Sequence, residues 1–282
     1  LINKKTNRIH TTFNQIGTST GRLSSQNPNV QNIPVRSNIG REVRSAFVVD
    51  YKKNYQMLSV DYSQIELRVL AHLSKENNLV KAFVNGEDIH DSTAKLIYAS
   101  NEVDSEQRRI AKILNFGVLY GLGPHGVSQQ TDLTREQGKE FIELYFGKYP
   151  GIKDFQKLKI NLSKKMGYSE TLLGRRRYLD DINSPNARVR GFAERVAINM
   201  PIQGTAAEII KVAMIQLGQE IRKQDMKSKM LIQVHDELIF EVAPGELMEL
   251  GAMINEIMPN AIKLDVPVLV DIKTGPSWGS LE

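Results

Sequence analysis

The chain has 282 residues, enough for one large domain or two smaller ones with a full hydrophobic core. Its composition is ordinary, 41% hydrophobic and 24% charged, and no apolar run approaches the roughly 20 residues that span a bilayer, so no membrane partner is expected. The absence of cysteine excludes disulfides, thiolate zinc sites and cysteine nucleophiles and fits a reducing interior, while 37 Lys and Arg against 32 Asp and Glu leave +5, consistent with a polyanionic partner such as nucleic acid.

Residue 1 is Leu and no signal-peptide pattern follows, so a piece of a longer protein is expected. Residues 1–36 are rich in Thr and Ser around Gly21, Pro28 and Pro34 and read as loop and short strand. Within them Arg22, after Gly21, suits a phosphate, because its planar fork meets two oxygens. Val43 to Val49 and Met57 to Val60 are expected as the first strands of a sheet.

Residues 57–74 organise the rest. Met57, Leu58 and Val60 read as a buried strand, and Ile65, Val69 and Leu73 recur every four residues as one face of a helix. The strand therefore delivers Asp61 to its own C-terminal edge, where a carboxylate reaches a metal or polar substrate without being buried unpaired. Ser63-Gln64-Ile65-Glu66 also has capping-box spacing, which gives Glu66 a purely structural alternative.

Helices follow through 76–104, with apolar positions at Leu79, Val80, Phe83, Ile89, Ala94, Leu96 and Ile97 and a turn at Asn85-Gly86. Over 106–120, at about 100° per residue, Ile110, Ile113, Leu114, Gly117 and Val118 share one apolar stripe. Arg108, Lys112, Phe116 and Tyr120 form a second stripe that a core-facing helix does not need. Two cations followed by two aromatics suit a nucleoside triphosphate, charge for the phosphates and rings for sugar and base. Residues 133–166 read as two helices split at Pro150-Gly151, and Arg175-Arg176-Arg177-Tyr178 as a solvated turn or a phosphate-tracking patch.

From Val189 to Leu217 the pattern is helical, and Arg195, Asn199 and Gln203 align along one ridge that reads groove acceptors or is merely solvated. Met230 to Val242 reads as a hairpin whose centre, His235-Asp236-Glu237, lacks the Asn-Gly or Asp-Gly chemistry of a structural turn. A helix over Glu246 to Met258, a strand over Val266 to Ile272 and a tail with the only Trp, Trp278, complete the chain. Paired carboxylates serve several hydrolases as well as two-metal phosphoryl transfer, but only the last also needs a cationic and aromatic helix.

With these residues in view, the chain resembles the palm and fingers of a family A DNA polymerase, nearly continuously from Thr18 to the C-terminus. Asp61 to Arg68 resembles motif A; Arg108, Lys112, Phe116, Tyr120 and Gly121 resemble motif B; Gln233 to Glu237 resembles motif C. Thr20 to Ser25 and Gln31-Asn32-Ile33-Pro34 are similar to the primer-template loop, and Arg195, Asn199 and Gln203 fall where the family contacts the duplex minor groove. The resemblance implies an α+β fold, an antiparallel-sheet palm (1–75 and 189–282) with an inserted, mostly helical fingers subdomain (76–188), the right-hand polymerase fold without its thumb.

It further implies template-directed addition of dNTPs to a primer 3′-hydroxyl. Two Mg²⁺ ions, or Mn²⁺ in their place, would be held by Asp61, Asp236 and the Tyr62 carbonyl, with Glu237 supporting. Arg108, Lys112, Phe116, Tyr120, Glu66, Gln64 and His90 would bind the nucleotide, Lys112 also protonating the leaving group and Glu66 blocking a 2′-hydroxyl. Arg22, Asn32, Arg195, Asn199, Gln203 and His235 would contact primer-template DNA. A cytoplasmic monomer in a bacterial or phage-infected cell is expected, with thumb and exonuclease-type domains N-terminal to this segment. The chain departs from many relatives at Asp91, where they carry Arg or Thr, and at Asp180, where they carry Pro. The alternatives are a single-subunit RNA polymerase, against which Glu66 as a sugar filter argues, and a non-catalytic DNA-binding remnant, against which the joint retention of Asp61, Lys112 and Asp236 argues.

Overall fold

A computed structural model describes residues 1–34, 37–50 and 53–281; of Leu96, Val118 and Leu119 the side chains lie outside the description, and with them two of the expected apolar positions. The chain divides into two compact units. The first holds residues 1–65, 206–263 and 268–282, the second residues 66–205 and 264–267.

The first unit is built on a four-stranded antiparallel sheet. Its strands are β3 (Gln56–Tyr62), β6 (Lys229–Val234), β7 (Glu237–Val242) and β8 (Val270–Gly275), in the order β6-β7-β3-β8. A separate hairpin pairs β1 (Thr12–Asn14) with β2 (Ser24–Gln26). β3 is central, and Met57, Leu58, Ser59 and Val60 are buried on both its faces, which is why it reads as a continuous apolar run. On one face Met57 joins Val234, Ile239, Trp278 and Leu281 in a cluster, with Phe47 packed edge-on to Trp278 at 5.5 Å. On the other, the Tyr62 hydroxyl donates to the Met258 carbonyl at 2.8 Å, tying the sheet to α10 (Leu247–Asn260).

Two expected strands are corrected here. Val43 to Val49 is not a strand: Asn38–Ser45 is a helix, α1, capped by the Ser37 hydroxyl accepting from the Gly40 N–H, and only Val48 bridges another segment, at Ser277. A side chain at Gly40 would meet the Pro34 carbonyl at 2.0 Å, so the bend into α1 requires glycine. The last strand runs Val270–Gly275 rather than Val266 to Ile272, because Pro267 has no N–H for a ladder; Val266 and Val268 are buried outside it.

The second unit is helical. It contains α2 (Ile65–Ser74), α3 (Asn77–Val84), α4 (Ile89–Tyr98), α5 (Ser105–Leu119), α6 (Pro124–Gln130), α7 (Arg135–Lys148) and α8 (Pro150–Met166), plus the hairpin β4 (Tyr168–Glu170) with β5 (Arg176–Tyr178). Pro150 opens α8 at the helix position proline tolerates, as the Pro150-Gly151 break predicts. The long α9 (Ala187–Lys223) contributes residues to both units and carries Pro201 in its interior.

Candidate active site

Strand register gathers carboxylates on one face of the sheet. Glu237 on β7 and Asp271 on β8 are both direct partners of Asp61 on β3, so three carboxylates stand abreast on one sheet face. Directly opposite residues place their Cβ atoms about 4.5–5.5 Å apart, and like charges there repel. Asp236 follows in the β6-β7 turn. Asp61 stays open to solvent on one side while protein surrounds the rest. Burial, then the charges of Asp236, Glu237 and Asp271, push its carboxyl up to about 7, against a backbone hydrogen bond at Tyr62. Burial also raises Glu237, against the Arg44 and Lys273 charges and a hydrogen bond with Ser59.

The turn that presents Asp236 is held from several sides. His235 has φ +54°, a conformation usually left to glycine. Gln233 donates to the His235 carbonyl at 2.5 Å, and the Tyr62 N–H donates to the Asp236 carbonyl at 3.2 Å. Gln31 in turn donates to both the backbone and the side-chain oxygen of Gln233, each at 3.0 Å. A left-handed non-glycine residue costs roughly 1–3 kcal/mol and persists only where its surroundings fix it.

Among the described residues no group of three or more His, Cys, Asp or Glu side chains has metal-holding spacing. Mg²⁺ asks for less: one or two carboxylates, with water and substrate phosphate completing its shell. Asp61 and Asp236, crowded by Glu237 and Asp271, fit that requirement. Also in this unit, Arg22 closes a turn in which Thr18 donates to its carbonyl at 2.7 Å, Asn32 is exposed, and Gln64 takes φ +54° just before α2. Helix α2 begins at Ile65, so Glu66 lies in its first turn, where the helix dipole favours a carboxylate.

The second unit carries the other expected residues. On α5, Ile110 and Leu114 are buried, Arg108 and Phe116 are half-buried and Lys112 is exposed; half-buried Tyr120 follows the helix end. Ile113 and Gly117, expected on the apolar stripe, are half-buried as well, so burial separates the stripes only at Ile110 and Leu114 against Lys112. The Tyr120 hydroxyl is buried without a partner among the described groups. His90, on α4, is buried, and its ring stands 5.8 Å from that of Phe116. Burial first, then the Lys112 and Arg108 charges, push its imidazole down to about 4, with Asp88 and Asp91 opposing, so it is neutral near pH 7. Its Nδ1 meets the buried Asn115 amide at 3.0 Å, and Asn115 meets Thr93 at 3.1 Å. On α9, Arg195 is exposed and Asn199 and Gln203 half-buried, a polar ridge on a segment whose neighbours are mostly buried.

Sequence reasoning missed Asp271, Ser59, Asn115 and the acids around Arg108. Asp271 had a weak signal, an acid inside an apolar strand, and Asp88 had the signature of an N-cap before an apolar run.

A family model described as DNA polymerase family A matches residues 1–280. The DNA polymerase I of Bacillus subtilis (strain 168) is 47% identical over 273 residues, covering 96% of this chain and 31% of that protein. That of Geobacillus stearothermophilus is 47% identical over 280 residues, covering 99% and 32%. The chain thus spans about a third of the length of these relatives. Among solved structures, the POL domain of Pol1 from M. smegmatis in complex with DNA primer-template and dNTP superposes with a TM-score of 0.95 at 46% identity, over 99% of this chain and 49% of that one.

Proposed function

The chain belongs to DNA polymerase family A, and from that premise we propose that it carries the site for template-directed addition of dNTPs to a primer 3′-hydroxyl, with palm over 1–75 and 189–282 and fingers over 76–188. The observation that carries this reading is the row Glu237, Asp61 and Asp271 with Asp236 beside it. A fold that tolerates such repulsion on a sheet face has a cation to bind there.

Asp61 and Asp236 would hold two Mg²⁺ ions, with the Tyr62 carbonyl as a further ligand and Glu237 in support; Mn²⁺ would substitute. When bound, the ions would lower the pKa of the primer hydroxyl and offset charge on the departing pyrophosphate. Arg108 and Lys112 bind the triphosphate, and Lys112 delivers a proton to the leaving group. His90, neutral and held by Asn115, donates an uncharged hydrogen bond to a phosphate oxygen. Phe116 packs on the sugar and Tyr120 beside the templating base, while Gln64 and Glu66 line the sugar side and Glu66 excludes a 2′-hydroxyl. Arg22, Asn32, His235 and the ridge of Arg195, Asn199 and Gln203 contact primer-template DNA. Primer extension with dNTPs against rNTPs in Mg²⁺ tests the reading. Extension with dNTPs alone supports it, preference for rNTPs would identify an RNA polymerase, and duplex binding without extension a non-catalytic protein.

A further inference from the structure

Two of the residues that bear on the triphosphate stand in different circumstances. Lys112 is exposed and forms no ion pair among the described residues. Arg108, four residues earlier, faces two acids at the start of the neighbouring helix: its Nη2 donates to Asp88 Oδ2 at 2.5 Å, and its Nε lies 2.9 Å from Asp91 Oδ1, an ion pair without hydrogen-bond geometry. Nε and Nη2 form one edge of the guanidinium, the fork that meets two oxygens of a phosphate or carboxylate. Both nitrogens of that edge therefore face the protein's own acids, Asp88 through a hydrogen bond and Asp91 through charge alone.

The two acids differ in what else they do. Asp88 is the N-cap of α4, and its Oδ1 accepts from the His90 N–H at 2.8 Å and the Asp91 N–H at 3.1 Å, so its position is set by the helix. Asp91 sits in the first turn and caps nothing. It follows His90 directly, so its charge lies beside two residues assigned to phosphate binding. A triphosphate can use the Arg108 edge only by displacing a carboxylate, and Asp91 is the one free to leave.

We infer that Asp91 is an internal competitor for the nucleotide, occupying the Arg108 edge in the absence of triphosphate and thereby weakening nucleotide affinity and setting the concentration at which the enzyme responds. This rests on Arg108 being a triphosphate ligand, as proposed above. Removing the competing charge should lower KM for a dNTP while leaving kcat nearly unchanged, because the contact exists before the nucleotide binds and is gone once it has. A partly exposed ion pair of this kind corresponds to a change of about two- to fivefold.

The test is steady-state single-nucleotide primer extension by the protein carrying this chain, with dATP varied, for the unaltered protein, D91N, D91E, R108A and the D91N/R108A pair. The expected result is a KM about two- to fivefold lower in D91N, near the unaltered value in D91E, which keeps the charge, and raised in R108A, with no further effect of D91N once Arg108 is gone. An unchanged or higher KM in D91N, beside a raised KM in R108A, would overturn the competitor role and leave the Arg108 reading standing. Equal lowering by D91N with and without Arg108 would also overturn it, since the charge would then be acting directly on the nucleotide. A KM unmoved by R108A would refute the assignment of Arg108 itself.

Discussion

The sheet and the helical unit both gather charge, but they treat it in opposite ways. On the sheet, Asp61, Glu237 and Asp271 stand abreast, and burial with the charges of Asp236, Glu237 and Asp271 raises the cost of ionising Asp61, while Arg44 and Lys273 act on Glu237. On the helices, Arg108 is answered within 3 Å by Asp88 and Asp91. On the proposed reading, the first region leaves an electrostatic demand for an external cation, whereas the second meets its own charge and would release a partner to receive a ligand. Neutralising an acid should accordingly stabilise the fold in one region and destabilise it in the other.

The largest expected effect is catalytic and falls on the sheet. D61N and D236N should each reduce primer extension by at least about a thousandfold, since metal polarisation supplies much of such a barrier reduction, while duplex binding in a fluorescence titration stays close to that of the unaltered protein. Near-normal extension by either variant would remove that residue from the site.

Loss of support beneath the same acids should be intermediate. Among the described residues Gln31 and Gln233 hydrogen-bond to no carboxylate, but they fix the carbonyls of a turn whose first residue is left-handed. Q233A should lower kcat by about tenfold or more, because small misplacement of a reacting group is costly, with KM for dNTP little changed. A loss confined to KM would mean that the network serves nucleotide binding rather than the aim of Asp236.

These supports mark where the sequence stops being legible. The junction at Asp61 is readable because hydrophobic periodicity switches there from strand to helix, and the hairpin tip because His235-Asp236 lacks turn chemistry. The α5 stripes are readable because they are local. Asp271 beside Asp61 depends on pairing between strands far apart in sequence, and the Arg108 pairs depend on how two helices pack, neither of which periodicity encodes. The misread segment at Val43 to Val49 is a case of β-branched residues suggesting a strand while a Ser37 cap and a Gly40–Pro34 approach favour a helix.

The stabilising effect of neutralising Asp61 should then grow with pH. Asp61 holds its proton up to about 7 when folded, well above the ordinary carboxylate range it has in the unfolded chain. Ionisation therefore costs the folded state, and the cost grows as pH rises from about 4 towards 7 and is constant above. In metal-free buffer D61N should melt higher than the unaltered protein at pH 8 and equally near pH 4, and Mg²⁺ should narrow the gap at pH 8 by stabilising the unaltered protein alone. Equal melting at pH 8 would show that the acids relieve one another without a cation.

The smallest effects belong to the helices, where the same operation should have the opposite sign. Asp88 does two things at once: one oxygen caps α4 and the other pairs with Arg108. D88N removes the charge but leaves a residue that caps well, so it should lose only the ion pair, about 0.2–1 kcal/mol for a pair this exposed. D88A removes the cap as well and should cost about 1 kcal/mol more. Denaturant midpoints at pH 7 for the two variants separate these contributions. If D88N is as unstable as D88A, the charge and not the cap holds the start of α4; if D88N is more stable than the unaltered protein, the Arg108 pair is strained like the sheet acids and the contrast between the two regions fails.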